Sequence, residues 1–183
     1  AAPGGKTTHI GELMGDNGKI FAIDMTASRL KKLESNTERL QLKSISISRG
    51  DSRNLTEFIN QADRVLLDVP CSGLGTLHRR ADARWRKTLE NIGELAKLQG
   101  ELLENAAKWV KPGGVLVYAT CTIYPLENEG VIENFLTNNY EWEIEAPTVD
   151  FMVSPCREGW IKIWPHREQM DGFFMVKLRR KVI

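Results

Sequence analysis

Short apolar runs alternate with amphipathic stretches along the chain, and this pattern predicts an α/β fold. Strands are predicted at residues 19–24, 44–51, 63–70 and 114–121, each a run of apolar or alternating residues. Helical segments separate most of them. Strands that alternate with helices are typical of a doubly wound, mostly parallel sheet, in which ligands bind beyond the carboxyl ends of the strands.

Four helices are predicted from apolar residues at helical spacing and from their end signals. Thr26 or Ser28 is expected to cap the second helix, Pro-Gly-Gly at residues 112–114 to stop the third, and Pro125 to lie in the first turn of the fourth. Three late strands complete the pattern. The helices are expected at residues 4–15, 26–42, 93–114 and 125–139, and the late strands at 142–146, 160–165 and 172–180.

The composition fits one ordinary domain with a sizeable core. The chain has 183 residues and a net charge of +1, which offers no global electrostatic argument for nucleic acid or membrane. No apolar run is long enough to span a bilayer. Cys71, Cys121 and Cys156 are too widely spaced for a disulfide framework or a paired zinc motif, and the three histidines are isolated. We therefore expect a cytoplasmic protein without a metal site.

The chain opens with AAPGGKTTHIGEL, which has two interpretations. Gly5-Lys6-Thr7 matches the end of a phosphate-binding P-loop, and Asp68 after an apolar run resembles the Mg²⁺-holding acid of a nucleotide triphosphatase. However, Pro3 has no backbone N–H to give a phosphate, and this interpretation leaves the cysteines after two of the strands unexplained. The alternative is a glycine-rich loop whose backbone comes close to an adenosine-type cofactor.

Acidic residues end three successive predicted strands. Asp24 lies 18 residues after Lys6, near the spacing of the acid that binds a ribose in adenosine sites. Asp51 and Asp68 end the next two strands. Any one of them alone is explained as well by a helix cap or a solvated loop. Three together at one edge of a sheet favour a ligand site.

Two cysteines follow strands that are predicted to be neighbours. Cys71 comes after Pro70 and Cys121 after Thr120, so the two thiols are expected to face one cleft, although a lone cysteine after a strand is usually a small buried hydrophobe. One reaction needs a thiol and an adenosine-type cofactor together. A thiolate adds to carbon 6 of a pyrimidine, and carbon 5 then attacks the methyl group of S-adenosylmethionine. The residues alone do not rank the two thiols.

Seven segments, in the same order as in the family, resemble the RNA cytosine-5 methyltransferases of the Sun/RsmB type. The resemblance implies a Rossmann-like class I S-adenosylmethionine-dependent methyltransferase with an antiparallel last strand. It also implies that the first central strand and an N-terminal RNA-binding region lie outside this chain, so that residues 1–183 are one catalytic domain. The segments are AAPGGKT, AIDM, GDSR, LLDVPCSGLGTLHRR, LAKLQGELL, GGVLVYATCTIYPLENE and DGFFMVKL.

The resemblance also implies roles for single residues. Cys121 is the nucleophile, Cys71 assists release of the product, and Asp68, the third catalytic residue, lies near the cofactor's amino group and the target base. Asp24 binds the ribose hydroxyls and Asp51 the adenine amine. Residue 122 is Thr where the family usually has Ser, which keeps a hydroxyl. The implied cofactor contacts are Ala1, Ala2, Pro3, Gly4, Gly5, Lys6, Asp24, Arg29, Asp51 and Asp68.

A basic strip, HRRADARWRK at residues 78–87, follows the Pro-Cys motif. It is either a solvated face with Trp85 packed inward or an RNA contact beside the catalytic cleft. The expected RNA contacts are Arg79, Arg80, Arg84 and Lys6. The predicted substrate is RNA, most specifically the 16S RNA of the small ribosomal subunit. The alternatives are a non-catalytic RNA- or adenosine-binding module and a P-loop-like triphosphatase.

Overall fold

The computed structural model describes residues 1–147 and 155–182 of the chain, which folds into two compact units, Ala1–Leu55 and Thr56–Ile183. Both units combine helices with strands, which confirms the predicted α/β class. Each unit has its own sheet, and each is described by itself.

The first unit is a strand–helix–strand arrangement preceded by a short helix. Strands β1 and β2 pair in parallel, from Ile20 opposite Ile45 to Asp24 opposite Arg49. The elements are α1 (Gly5–Leu13), β1 (Ile20–Asp24), α2 (Ala27–Arg39) and β2 (Ile45–Arg49).

The core of the first unit lies between α2 and the strands. Leu30 and Leu33, three residues apart on α2, form a buried cluster with Ala2 and with Ala22 of β1. Gly4 immediately precedes α1 and has φ 120°, and a Cβ there would lie 2.7 Å from the Leu33 side chain. Only glycine combines that backbone conformation with such a close approach, so the loop before α1 is closely packed on α2.

The second unit places four of its strands in a row, in the order β3, β4, β7, β5, with β6 also paired to β7. Strands β3 and β4 are parallel, and β7 is antiparallel to each of its partners, which confirms the predicted antiparallel last strand. The elements are β3 (Ala62–Asp68), α3 (Ala83–Arg86), α4 (Leu89–Trp109), β4 (Val110–Thr120), α5 (Glu129–Asn138), β5 (Trp142–Ile144), β6 (Ile161–Ile163), α6 (Pro165–Glu168) and β7 (Phe173–Arg180).

The core of the second unit is built on β4 and β7, which lie side by side in the sheet. Phe174, Val176 and Leu178 alternate along β7 with less buried residues, so one face of this strand is apolar. The long helix α4 packs on β3, β4 and α5. Its first residue is preceded by Thr88, whose hydroxyl accepts a hydrogen bond from the Asn91 N–H at 3.2 Å, the expected N-cap contact.

The predicted roles of Pro-Gly-Gly and of Pro125 as helix end signals are wrong. Residues 112–114 do not stop α4, because the helix already ends at Trp109 and the extended backbone of Val110 pairs with β3. Pro125 is not in the first turn of α5. It opens a separate 3₁₀ turn, Pro125–Glu127, and the non-helical backbone of Asn128 divides this turn from the helix.

All five tryptophans and all three tyrosines of the sequence lie in the second unit. Trp109, Trp142 and Trp160 are buried, whereas Trp85 is 84% exposed. Among the described residues, no helix is both long enough and apolar enough to cross a membrane.

Candidate functional site

The carboxylate of Asp24 is held by the backbone of the glycine-rich loop and of the turn after β1. The backbone N–H groups of Thr26 and Ala2 donate to it at 2.9 and 3.2 Å, and the Arg29 guanidinium lies 3.7 Å away. Arg29 also donates to the Ala2 carbonyl. Asp24 is the last residue of β1 and lies at the carboxyl end of this strand, where the Ala2 backbone of the glycine-rich loop contacts it. The structure therefore brings Ala2, Asp24 and Arg29 together.

These contacts lower the pKa of Asp24. Partial burial opposes ionisation, but the two backbone N–H groups and the neighbouring positive charges outweigh it. The carboxylate is thus ionised at neutral pH and half-buried, which suits it to accept hydrogen bonds from the hydroxyl groups of a ligand.

Asp51 lies two residues beyond the end of β2, in the turn that follows it. Its carboxylate accepts hydrogen bonds from the Arg53 backbone N–H at 3.0 Å and from the Arg53 guanidinium at 2.7 Å. The hydrogen bonds from the Arg53 side chain and backbone lower the pKa of Asp51. Asp51 is therefore a second ionised acceptor in the same unit, with Arg53 as its partner in this structure.

The remaining predicted loop residues lie at the start of α1. Gly5 is the first residue of this helix, and Lys6 follows it with an exposed side chain. A Cβ on Gly5 would have no heavy atom within 4 Å, in contrast to Gly4. The loop therefore presents an open backbone at Gly5, next to the closely packed Gly4.

In the second unit, the structure brings the two predicted thiols into contact. Strands β3 and β4 are hydrogen-bonded neighbours with Asp68 opposite Ala119, so their carboxyl ends lie side by side. Asp68 is the last residue of β3 and is exposed. Three residues later, the Cys71 Sγ lies 3.2 Å from the Cys121 Sγ. Both cysteines are partly buried, and Cys156 is exposed.

Contact between the two sulfurs changes how readily they ionise. The hydrogen bond with Cys121, together with burial, raises the pKa of the Cys71 thiol far above its ordinary value. Two adjacent thiolates repel each other, so the pair holds on to one proton, and either sulfur can be the donor of the hydrogen bond between them. The contact therefore allows one thiol of the pair to ionise while the other keeps its proton.

A buried polar network lies directly behind the thiols. Glu127 has no exposed surface, and its carboxylate accepts a hydrogen bond from the Ser72 backbone N–H at 2.8 Å and one from the Ser72 hydroxyl. Gln99 of α4 donates to the same carboxylate at 3.0 Å and to the Pro70 carbonyl at 2.9 Å. The Ser72 Oγ also lies 2.9 Å from the Thr122 Oγ1. The network thus joins the residues that follow each of the two cysteines.

Further contacts fix the backbone around Glu127. Tyr118 donates to the Glu127 carbonyl at 2.7 Å, and burial raises the pKa of this phenol. Asn128 donates to the Thr122 carbonyl at 3.0 Å and accepts a hydrogen bond from the Thr120 hydroxyl at 2.7 Å. The Thr-Cys loop, residues 120–124, is therefore held in place by buried hydrogen-bonding groups.

Two glycines brace the Cys121 backbone from the other side. The Gly75 N–H donates to the Cys121 carbonyl at 3.0 Å, and the Gly172 N–H donates to the Gly75 carbonyl at 2.8 Å. A Cβ on Gly75 would lie 2.2 Å from the Gly172 oxygen and 2.8 Å from the Cys121 oxygen. No side chain fits at position 75 without displacing one of these backbone segments.

The basic strip at residues 78–87 includes the short helix α3. Trp85 projects from this helix into solvent, so the alternative in which it packs inward is wrong. Arg79 and His78 both contact Asp171, and Arg86 pairs with Asp82. Arg80 and Arg84 have exposed side chains. The acidic partners therefore neutralise only part of the positive charge of the strip, and the exposed Trp85 ring lies among arginines.

Within residues 1–147 and 155–182, no group of three or more His, Cys, Asp and Glu residues is arranged to hold a metal ion.

Ser72, Gln99 and Glu127 were not predicted from the sequence. The sequence does carry a signal for Ser72 and Glu127, because both lie within the two motifs that contain the cysteines. Their burial could not be predicted, because a glutamate in the polar stretch PLENE is expected at the surface. Thr122 was noted for its hydroxyl, which takes part in the network.

The chain is similar to known proteins over nearly its whole length. A sequence profile of the family "16S rRNA methyltransferase RsmB/F" matches residues 1–179. The "Probable ribosomal RNA small subunit methyltransferase B" of Synechocystis sp. is 48% identical, over 98% of this chain and 42% of that protein. The "tRNA (cytosine(72)-C(5))-methyltransferase" of Pyrococcus horikoshii is 39% identical, over 98% of this chain and 45% of that protein.

Among solved structures, that of NSun6 from Pyrococcus horikoshii with SFG matches with a TM-score of 0.90 and 38% identity. It covers 100% of this chain and 47% of that one. The chain thus spans less than half the length of these relatives.

Proposed function

The chain belongs to the 16S rRNA methyltransferase RsmB/F family, and from that premise we propose that the whole protein methylates carbon 5 of a cytosine in RNA. The methyl donor is S-adenosylmethionine, and the substrate is the RNA of the small ribosomal subunit. The relatives named for ribosomal RNA support this substrate. The observation that carries the proposal is the pair of thiols in contact at the ends of two neighbouring parallel strands.

The carboxylates of the first unit fit a methyl donor that contains adenosine. Asp24 and Asp51 have lowered pKa values and are ionised acceptors, which suit ribose hydroxyls and an adenine amine. When bound, this donor supplies an electrophilic methyl group. We assign Ala1 through Lys6 and Arg29 to the same ligand, with Asp68 near its amino group and near the target cytosine.

Cys121 acts as the nucleophile in this proposal. Its thiolate forms a bond to carbon 6 of the cytosine, and the electron pair of the 5,6 double bond becomes available at carbon 5 for methylation. A base then removes the proton from carbon 5, the double bond reforms, and the Cys121 sulfur leaves as a thiolate. Cys71 keeps its own proton at neutral pH and assists the release step.

Two cysteine variants of the full-length enzyme test the mechanism. Cys121→Ser should abolish methyl transfer from labelled S-adenosylmethionine to RNA and leave binding of S-adenosylhomocysteine unchanged, because serine is a far weaker nucleophile. Cys71→Ala should still form the carbon–sulfur bond and accumulate a protein–RNA adduct on denaturing gels. An adduct with Cys121→Ser and none with Cys71→Ala would reverse the assignment.

Ligand binding separates this proposal from its alternatives. Calorimetry should detect S-adenosylhomocysteine and not ATP, and the reverse result would favour a triphosphatase. Binding of S-adenosylhomocysteine without methyl transfer to any RNA would favour a non-catalytic module. Because one relative is named as a tRNA (cytosine(72)-C(5))-methyltransferase, tRNA is the second candidate substrate. Small-subunit ribosomal RNA and tRNA should therefore be assayed side by side.

The basic strip is proposed to contact the RNA, together with Lys6. An exposed indole beside Arg80 and Arg84 suits a base stacked on the ring, with phosphates near the guanidinium groups. Trp85→Ala in the full-length enzyme should weaken RNA binding by about 1–3 kcal/mol, the range for one stacked base. Its thermal stability should change little, since the ring is already in solvent. Unchanged RNA affinity would remove Trp85 from the interface.

A further inference from the structure

We propose that Glu127 is a positioning residue that fixes the separation of the two thiols. Its buried carboxylate holds the Pro-Cys loop and the Thr-Cys loop against each other, and the catalytic consequence of this role rests on the proposed function.

The carboxylate reaches both loops through a single serine. Ser72, the residue after Cys71, gives both its backbone N–H and its hydroxyl proton to Glu127. Since a hydroxyl has one proton, the Ser72 oxygen must accept at its contact with Thr122, the residue after Cys121. Thr122 in turn accepts from the Tyr124 N–H at 3.2 Å. The hydrogen bonds therefore run in one direction, from the Thr-Cys loop through Ser72 to the carboxylate.

The position of the carboxylate is itself fixed from three elements. Gln99 approaches it from α4, Tyr118 holds its backbone from β4, and Glu127 ends the 3₁₀ turn before α5. The donors that reach the carboxylate here are neutral groups. A buried carboxylate is costly to desolvate, and apolar packing would stabilise the fold at least as well. The feature that apolar packing could not supply is a hydrogen-bonded connection between the two loops through Ser72.

The chain of hydrogen bonds from Thr122 through Ser72 to Glu127 forms a bridge between the two loops. The two thiols depend on this bridge for their contact. Each cysteine is one residue away from a member of the bridge, and the sulfurs are 3.2 Å apart. Errors of about 1 Å in the position of a reacting group can lower a rate by about 10²-fold. Loosening the bridge should therefore affect the covalent step, and not the binding of either substrate.

The test uses the full-length protein with Glu127→Ala, Glu127→Gln and Ser72→Ala. Trp142→Phe serves as the control, because it perturbs a buried ring on β5 that packs on Phe135. The first readout is the pH at which Cys71 becomes reactive to iodoacetamide, scored by fragmentation of intact protein that carries a single label, so that only molecules with unmodified Cys121 are counted. In Glu127→Ala this midpoint should fall toward that of an ordinary thiol, since Cys121 no longer lies beside Cys71. Ser72→Ala should shift it in the same direction and by less, and Trp142→Phe should not shift it.

The second readout is the rate of methyl transfer. Glu127→Ala should lower kcat by about 10²-fold, with the KM for RNA and for S-adenosylmethionine within about twofold of the wild-type values. Glu127→Gln keeps one acceptor oxygen for Ser72 and should fall between wild type and Glu127→Ala in both readouts.

Three results would each overturn the proposal. The first is an unchanged Cys71 midpoint in both Glu127→Ala and Ser72→Ala, and the second is an equal shift in Trp142→Phe at matched melting temperature. The third is a loss confined to KM. If Glu127→Ala does not fold, Ser72→Ala and Glu127→Gln decide alone. The alkylation readout does not need turnover, so an inactive wild-type enzyme would contradict the proposed function without affecting this test.

Discussion

The two units of the molecule hold their chemically important groups by different means. In the first, Asp24 is oriented by backbone N–H groups of Ala2 and Thr26 in a half-buried position. In the second, Cys71 and Cys121 are held by buried side chains and by glycine backbone that excludes any side chain.

The difference shows where each kind of site is sensitive. A carboxylate fixed by backbone groups tolerates changes in the surrounding side chains, because the loop conformation is what places its donors. A thiol pair fixed by a side-chain network depends on residues that never touch the substrate. The first unit should therefore respond to substitutions at the ligand-contacting residues themselves, and the second to substitutions behind the site.

The largest expected effect is that of Gly75→Ala in the second unit. The new methyl group would overlap the backbone oxygens of Gly172 and Cys121. We expect a loss of about 3 kcal/mol, at the upper end for overpacking, and a melting temperature lower by roughly 10 °C. Scanning calorimetry measures it.

Gly100→Ala is the matched control for that substitution. Gly100 lies within α4, and a Cβ there meets no heavy atom within 4 Å. Alanine should stabilise this helix by about 0.5–1 kcal/mol. If the two variants melt at the same temperature, the glycine contact behind Cys121 does not constrain the loop.

A smaller effect is expected from Asp24→Asn in the first unit. It removes the charge and one of the two oxygens that accept backbone N–H groups, and should weaken S-adenosylhomocysteine binding by about 1–3 kcal/mol. Asp16→Asn is the control, because Asp16 also accepts backbone N–H groups, from Lys43 and Ser44. Isothermal titration calorimetry of the full-length protein should show the loss for Asp24→Asn alone. Equal losses would mean that the loop, and not the carboxylate, carries the affinity.

The smallest effect is a difference in pH dependence between the units. The pKa of Asp24 is lowered in the folded state, so its contribution to stability is present above the ordinary value near 3.8 and is lost as the pH falls through the folded value. The pKa of Cys71 is raised, so its contribution is present below 9.0 and is lost as the pH rises further, by at most about 1.4 kcal/mol per pH unit.

Hydrogen exchange followed by mass spectrometry resolves the two units in one sample. Peptides of the first unit should lose protection below about pH 4. Those of the second unit should also lose it in acid, since the Arg179 and Lys177 side chains lower the pKa of Glu145, and in addition above about pH 9. Cys71→Ala should remove the loss that begins at about pH 9 and leave the loss above about pH 10, to which the buried Tyr118 phenol with its raised pKa contributes. An alkaline loss of the same size in that variant would show that other groups cause it.

The strands, the four longer helices and the meeting of the two thiols could be predicted from the sequence, and the short helices α3 and α6 could not. The strands that end in Asp24 and Asp68 are recognisable because an apolar run and the acidic residue that follows it are adjacent in the sequence. Once β3 and β4 are neighbours in a parallel sheet, Cys71 and Cys121 must emerge at the same edge.

The rest depended on packing that adjacent letters do not encode. Glu127 looks like a surface residue, and only its three-dimensional neighbours give its carboxylate enough donors to be buried. The inward packing considered for Trp85 failed for the related reason that α3 is a single short turn without a buried residue. The end of α4 was misplaced because Val110 pairs with β3 ahead of the glycines.

The distribution of the aromatic residues makes the molecule its own optical reporter. Since every tryptophan and tyrosine of residues 1–183 lies beyond residue 55, the share of the 280 nm absorbance and of the intrinsic emission that this chain supplies comes from its second unit. Trp85 contributes a red-shifted, easily quenched component, and Trp109, Trp142 and Trp160 a blue-shifted, protected one. Acrylamide quenching can thus distinguish an event at the basic strip from a loosening of the core, without an added label. The first unit is spectroscopically silent, so a single tryptophan introduced there would report on that unit by its difference from the parent protein.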